Sequence, residues 1–253
     1  MLVDALIIIA CIVGALVFLF VVTRTSAAPA RKESNDFTGA VVAVIGTTYA
    51  VILAFMLSGV WNMLQQAQTT EEQEANALVN VWRITGQLQV PGAQDAEAAC
   101  VKYADNAIQK EWPAMLAAKT IPPENNEILN QLWKFAGQIQ ARSGNDSIAA
   151  NQMMEELRLP TEYRRIRIMQ SREELPAILW AVLIAGGVIT VAAACFFGVP
   201  NFRFHVLQVA VLSFLISLVL VAIADIDRPY QGAVTVQPEG FSFSRERIGS
   251  QAR

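Results

Sequence analysis

The sequence predicts an all-α integral membrane protein with four transmembrane helices and a helical extramembrane domain inserted between the second and the third. The 253 residues are 54% hydrophobic and only 16% charged, whereas about a quarter of the residues of soluble domains are charged. The charges also avoid four stretches, each longer than the ~18 apolar residues that indicate a span across a ~30 Å hydrocarbon layer. These stretches are residues 5 to 23, 37 to 70, 175 to 202 and 204 to 224.

The first pair of spans lies near residues 4 to 23 and 40 to 61, within a predicted membrane segment 1 to 61. The first span has an alternative interpretation as a cleaved signal, since the small residues 26 to 28 follow its apolar run. Against a signal, residues 1 to 4 carry no basic residue and the apolar run exceeds a usual signal core. The sequence therefore favours an anchor.

The segment from 62 to 174 has the composition of a soluble domain, with 11 of the 19 basic and 15 of the 22 acidic residues. Apolar residues at steps of three and four predict that the second span continues as a helix to Val90-Pro91-Gly92, about 75 Å at 1.5 Å per residue. Further helices are predicted over 94 to 111 and 124 to 142, and from about 145 onward with an interruption at Pro160.

The second pair of spans lies near 177 to 198 and 204 to 224, within a membrane segment 175 to 224 that a tail over 225 to 253 follows. Pro176 predicts a kink or a new helix start, because proline lacks the N–H that a continuing helix needs. Within the tail, residues 232 to 238 are expected to be extended.

The composition argues against several classes of protein. A net charge of −3 gives no basic footprint for nucleic acid. His205 is the single histidine, and neither a phosphate-binding loop nor a cysteine pair with metal-ligand spacing occurs. We therefore predict no enzyme active site, no metal site and no cofactor.

Polar residues inside the second span suggest a wet path through the membrane. Thr48, Phe55, Ser58, Asn62 and Gln66 fall on one helical stripe. In a symmetric oligomer this stripe would line a pore for small inorganic ions, with Phe55 as an apolar constriction. Alternatively, the hydroxyls bond to carbonyls of their own helix and the amides lie at the interface.

Charged residues beyond this span are candidates for a charged entrance. Glu71 and Glu74 follow the second span, and Arg164 and Arg167 precede the third. A solvated helix face is the commoner explanation for such a run of glutamates. The arginines have two further interpretations, namely contact with anionic headgroups or pairing with the glutamates.

Asp225, Asp227 and Arg228 form a polar cluster at the end of the fourth span. Ionisable residues near membrane depth are costly and are therefore candidates for function. A local ion pair or helix cap is the alternative.

Four spans place both termini and the middle domain on one side of a membrane. Arginines near the span ends of that side outnumber those in the opposite loops, which favours a cytoplasmic middle domain under the positive-inside rule. The absence of basic residues at the amino terminus favours the reverse.

The order of motifs resembles the bacterial bestrophin-like family (DUF4239) over nearly the whole chain. The motifs that carry the resemblance are residues 37 to 39, 49 to 55, 61 to 67, 74 to 78, 82 to 83, Tyr103, 111 to 113, 164 to 172, 175 to 176, 179 to 180, 186 to 187, 227 to 230 and Gly232. Trp82 departs from the tyrosine that is frequent in the family at this place.

The resemblance implies a bestrophin-like fold and, by extension from bestrophins, a pentameric ion channel whose pore is built around the second span. The acidic run of the bestrophin calcium clasp is missing, so calcium gating is not implied. We expect a multi-pass protein of the bacterial inner membrane in contact with lipid. The alternative function is a non-conducting membrane-anchored sensor or scaffold whose helical domain binds a partner. A transporter is disfavoured by the lack of internal repeats and midplane charges.

Overall fold

The structure is a computed structural model that describes residues 2–25, 32, 35–139 and 144–251. Its helices are α1 (Leu2–Thr25), α2 (Asn35–Gln87), α3 (Ala93–Asn106), α4 (Trp112–Leu116), α5 (Glu124–Gln138), α6 (Gly144–Gln170), α7 (Ala177–Cys195), α8 (Phe202–Ile226) and α9 (Glu239–Gln251). A π-helical turn, Ala107–Glu111, connects α3 to α4. These described ranges contain no strand, so the protein is all-α.

The chain divides into two compact units. The first unit comprises Met1–Asn62 and Glu174–Asp227, and the second comprises Met63–Glu173 and Arg228–Arg253. Helix α2 contributes its first half to the first unit and its second half to the second unit.

Four helices of the described residues, α1, α2, α7 and α8, are long and apolar enough to cross a membrane. Only 11 to 22% of the residues in their most apolar windows are buried. Apolar surface of this extent is unfavourable in water and favourable in a hydrocarbon layer. The protein is therefore a membrane protein.

The first unit has two apolar clusters. The larger one joins α2, α7 and α8 through Tyr49, Leu53, Leu183 and Ile216. The smaller one joins α1, α7 and α8, and its buried residues are Ala15, Leu19, Cys195 and Val209. His205 at the start of α8 is also buried, and its Nε2 lies 3.1 Å from the Ala194 carbonyl at the end of α7.

The second unit packs α3, α5, α6 and α9 with the second half of α2. One face of α3 and of the turn that follows it is buried, and its residues are Ala96, Cys100, Tyr103 and Ala107. The π-helical turn directly precedes Trp112-Pro113, where the proline cannot donate a helical hydrogen bond. π-helical turns are frequent at functional sites, and this one ends on the buried Glu111.

The predicted interruption at Pro160 is wrong. Helix α6 continues through Pro160, which shares a buried stripe with Met153, Leu157, Arg164 and Arg167. Packing of this stripe on both sides of the proline outweighs the loss of one backbone hydrogen bond.

Two further expectations concern the second half of the chain. The new helix start after Pro176 is confirmed, since α7 begins at Ala177. Helix α9 was not predicted from the sequence, and it packs within the second unit. For the helix predicted over 124 to 142, α5 ends at Gln138, and residues 140 to 143 lie outside the described residues.

Candidate functional site

The polar stripe of α2 is exposed along its whole length. Thr48, Ser58, Asn62 and Gln66 are exposed, and Phe55 is 74% exposed. At about 100° per residue these five positions lie within an arc of roughly 80°. Within the described part of the chain, no hydrogen bond involves the side chain of Thr48, Ser58, Asn62 or Gln66.

The opposite face of α2 is buried in the first unit. Tyr49, Leu53 and Val60 face α7 and α8, and the Tyr49 hydroxyl donates to the Leu183 carbonyl at 2.8 Å. A Cβ on Gly186 would lie 2.5 Å from the Tyr49 ring. Gly186 and Gly187 thus allow α7 to pack closely against α2, which fixes the rotation of α2 in the first unit.

The second unit contains a buried ionic core that connects α2, the π-helical turn and α6. Arg167 donates from Nε and Nη2 to both oxygens of Glu74, at 2.6 and 2.9 Å. Its Nη2 also donates to Glu111 at 2.6 Å. Arg164 donates to the other oxygen of Glu111 at 2.6 and 3.0 Å. All four side chains are at most 5% exposed.

Aromatic side chains complete the environment of Arg167. The Tyr103 hydroxyl donates to Glu74 at 2.6 Å. The guanidinium carbon lies 4.9 Å from the Trp112 ring centre and 5.8 Å from that of Phe241, within the range of cation–π interactions. Burial by itself lowers the pKa of Arg167, but Glu74 and Glu111 outweigh it and hold the pKa well above its usual value. The core therefore keeps a permanent buried cation.

Glu71 connects α2 to the start of α9. Its two carboxylate oxygens accept from the backbone N–H groups of Gly240 at 3.2 Å and Phe241 at 3.0 Å. The pKa of Glu71 is raised to about 7, because burial, with a smaller contribution from Glu74, outweighs the two backbone donors and Arg167, which lower it. The last helix of the chain is thus held by a carboxyl group that titrates near neutral pH.

The structure shows that Arg167 pairs with Glu74, which was one of the two interpretations of the arginines. Glu71, Glu74, Arg164 and Arg167 are all buried within the second unit. Their contribution to a charged entrance in an assembly stays a prediction.

The polar cluster at the end of the fourth span connects two membrane helices. The buried Asp227 accepts from the Leu175 backbone N–H at 2.7 Å and from Trp180 Nε1 at 3.4 Å. Its carboxylate therefore joins the end of α8 to the chain just before α7. Asp225 is half-buried and Arg228 is exposed.

Sequence reasoning missed most of the partners in the ionic core. Glu111, Tyr103 and Trp112 were noted only as motif residues, and Phe241 was not singled out. One signal was available: Glu71 and Glu74, like Arg164 and Arg167, are spaced three residues apart, and this spacing places both members of each pair on one helix face.

These features define an all-helical membrane protein with four apolar helices of spanning length and a helical unit built around an ionic core. The model of the family described as the bestrophin-like domain matches residues 9–241. The chain belongs to the bestrophin-like family.

Crystal structures of a bacterial bestrophin homologue from Klebsiella pneumoniae have a similar fold. Two structures with point mutations give TM-scores of 0.72 and 0.73 at 13% identity, covering 97% and 95% of this chain and 98% of each matched chain. A third gives 0.69 at 14% identity, covering 96% of this chain and 97% of the other. Among curated proteins, none matches this sequence.

Proposed function

We propose that the protein is an oligomeric ion channel, a pentamer in the manner of bestrophins, whose pore is lined by α2. The observation that carries the proposal is the division of α2 into two faces. Tyr49, Leu53 and Val60 pack against the protomer's own helices, whereas the polar stripe lies on the opposite side and is exposed.

An exposed polar stripe is unfavourable against lipid. Hydroxyl and amide groups that leave water without a hydrogen-bond partner cost several kcal/mol in a hydrocarbon layer, roughly 2–7 kcal/mol each. Copies of α2 arranged around an axis would give Thr48, Ser58 and Asn62 water as a partner. Phe55, on the same stripe, would form the apolar constriction.

Within the second unit, the ionic core would hold the second half of α2. Arg167 and Glu74 fix α6 against α2 just beyond the last residues of the stripe. Because buried hydrogen-bonded ion pairs are geometrically demanding, this contact would hold α6 and the second half of α2 in one arrangement. We retain a candidate charged entrance, in which the electrostatic field of four residues would act on ions near α2. These residues are Glu71, Glu74, Arg164 and Arg167.

In a bacterial cell, we place the protein in the inner membrane, with the second unit and both termini on the cytoplasmic side. The orientation is testable by labelling. Cys11 is the exposed cysteine, while Cys100 and Cys195 are buried. A cysteine introduced at the exposed Phe243 of the second unit is expected to resist a membrane-impermeant maleimide in intact spheroplasts and to react after lysis.

The deciding experiment is ion flux across liposomes that contain the purified oligomer. We expect selective flux that increases with Phe55→Ala, which widens the constriction, and decreases with Ser58→Leu, which removes a polar group from the path. Phe214→Ala is the matched control, because Phe214 is an exposed phenylalanine of α8 away from the stripe.

The subunit number is measured in parallel by mass photometry or chemical crosslinking. A monomer, or an oligomer in which the α2 stripe remains accessible to lipid-soluble probes, would contradict the proposal. A folded oligomer without flux at any pH or voltage would favour the sensor or scaffold.

A further inference from the structure

An apolar groove of about 610 Å³ lies in the first unit between α1, α7 and α8. Small residues form much of its wall, among them Gly14, Gly187, Ala192 and Ala224. Two serines of α8 also line it, but the Ser217 hydroxyl donates to the Ser213 carbonyl at 2.7 Å. The groove therefore offers hydrocarbon contact and little hydrogen bonding.

The groove is closed at one end by direct helix packing. There the buried Leu19, Cys195 and Val209 bring the three helices together, and Phe18 meets Phe196 edge to face at 6.3 Å. Toward the other end, burial of α1 decreases, and Ile8 and Ile12 are only half-buried. In the described part of α1, no residue before Ala15 is buried.

The length of the groove matches one leaflet of a bilayer. Its lining runs from Ile7 to Phe18 on α1, which is about 17 Å at 1.5 Å per residue. Half of a ~30 Å hydrocarbon layer is about 15 Å. Trp180 lines the open end, and its indole N–H points to Asp227, as expected for an aromatic residue at the membrane surface.

We infer that this groove is a binding site for a single phospholipid acyl chain, which enters beside Trp180 and ends against the Phe18–Phe196 contact. The chain fills the space between the first half of α1 and α7. A transmembrane helix of another copy is a poorer occupant, because it needs a continuous surface across ~30 Å, whereas the packing around Leu19 closes this groove after about half that length.

A resident chain would also explain how the amino-terminal half of α1 is held. Leu6 and Ile9 on this half of α1 are exposed, whereas Ile8 and Ile12 are half-buried. A filled groove supplies dispersion contacts along one side of the helix. Bound lipid and the position of α1 are therefore coupled.

The test uses photo-crosslinking with a phosphatidylcholine that carries a diazirine in the middle of one acyl chain. The full-length protein is reconstituted into vesicles of unlabelled phosphatidylcholine with a small share of this probe, irradiated, and digested for peptide mass spectrometry. Gly14→Trp fills the groove, since a Cβ on Gly14 meets nothing within 4 Å. Val13→Trp is the matched control, because Val13 is exposed and does not line the groove.

We expect adducts to concentrate on groove residues such as Cys11, Ile184 and Leu220. Gly14→Trp should reduce them at least about fivefold, because a buried indole occupies the space of the chain, and Val13→Trp should leave them unchanged. Val188→Trp, at a second groove position, gives the same test if Gly14→Trp does not fold.

Adducts spread evenly over the exposed faces of α1, α7 and α8 would overturn the site and leave ordinary boundary lipid. Efficient disulfide formation between the Cys11 residues of two copies would overturn it in favour of a second copy in the groove. Neither readout depends on ion flux, so the site and the proposed channel fail or succeed separately.

Discussion

Removal of Arg167 is the most direct test of the ionic core. Arg167→Met leaves Glu74 buried with only the Tyr103 hydroxyl as a side-chain donor, and leaves Glu111 to Arg164 alone. Breaking a buried ion pair by removing one partner costs roughly 3–5 kcal/mol. At about 1.4 kcal/mol per factor of ten, local opening of the second unit becomes about 10² to 4 × 10³ times more frequent.

The thiol of Cys100 reports this opening. Cys100 is fully buried in α3, and burial raises the pKa of its thiol to about 12, so it reacts only when the unit opens. With Cys11 and Cys195 replaced by serine and alanine, the maleimide labelling rate of Cys100 in mild detergent gives the opening equilibrium. We expect labelling of Arg167→Met to be about 100 times faster or more.

Two companion variants make the result decisive. Arg158→Met removes an ion pair with Glu162 in which the Arg158 side chain is 66% exposed and the Glu162 side chain is 52% exposed. Such a pair contributes only about 0.3–0.5 kcal/mol, so labelling should change by less than about threefold. Arg167→Met combined with Glu74→Gln removes the uncompensated carboxylate and should recover part of the loss. If Arg167→Met labels no faster than Arg158→Met, the argument for an energetically coupled core is refuted.

Three further predictions concern other contacts. The pKa of Glu71 is raised to about 7 in the fold, from an ordinary value near 4.5, so its protonated form favours the folded state. This stabilisation is complete below about pH 4.5 and is lost as the pH rises through 7. Glu71→Gln should therefore flatten the change in unfolding midpoint between pH 5 and pH 8, and curves parallel to those of the unsubstituted protein would contradict this prediction. Gly186→Ala places a Cβ 2.5 Å from the Tyr49 ring and should lower the free energy of unfolding by about 1–3 kcal/mol through overpacking, measured by thermal unfolding. Gly46→Ala is the control, because its Cβ meets nothing within 4 Å. It should leave the unfolding midpoint unchanged or slightly higher. Asp227→Ala removes the acceptor of the Leu175 N–H and the Trp180 indole N–H and should lower the stability by about 1–3 kcal/mol. The measurements are a lower thermal unfolding midpoint and a change in Trp180 fluorescence. An unchanged unfolding midpoint would show that this carboxylate does not stabilise the junction of α7 and α8.

Local patterns determined much of the fold. Pro176 marked the start of α7, and the helix predicted over 94 to 111 corresponds to α3 and the π-helical turn. The interruption predicted at Pro160 was wrong, because the missing N–H costs one local hydrogen bond, whereas packing of the buried stripe of α6 stabilises the helix on both sides of the proline.

The candidate site divides in the same way. The stripe from Thr48 to Gln66 could be predicted from the sequence, because helical periodicity alone places these residues on one side of α2. The environment of Glu74 could not be predicted, because a run of glutamates on a helix has the same sequence pattern whether it faces water or buried arginines.

Hydrophobicity and helical period act between near neighbours, so the sequence was sufficient to predict an all-helical membrane chain with four apolar segments of spanning length. Two pairings required the fold: Arg167 contacts Glu74, 93 residues away, and Glu71 accepts from the Phe241 backbone N–H, 170 residues away. Such pairings depend on how whole helices pack, and the energy of a buried charge depends on every group around it. The folded chain alone therefore shows which charges are exposed and which are buried.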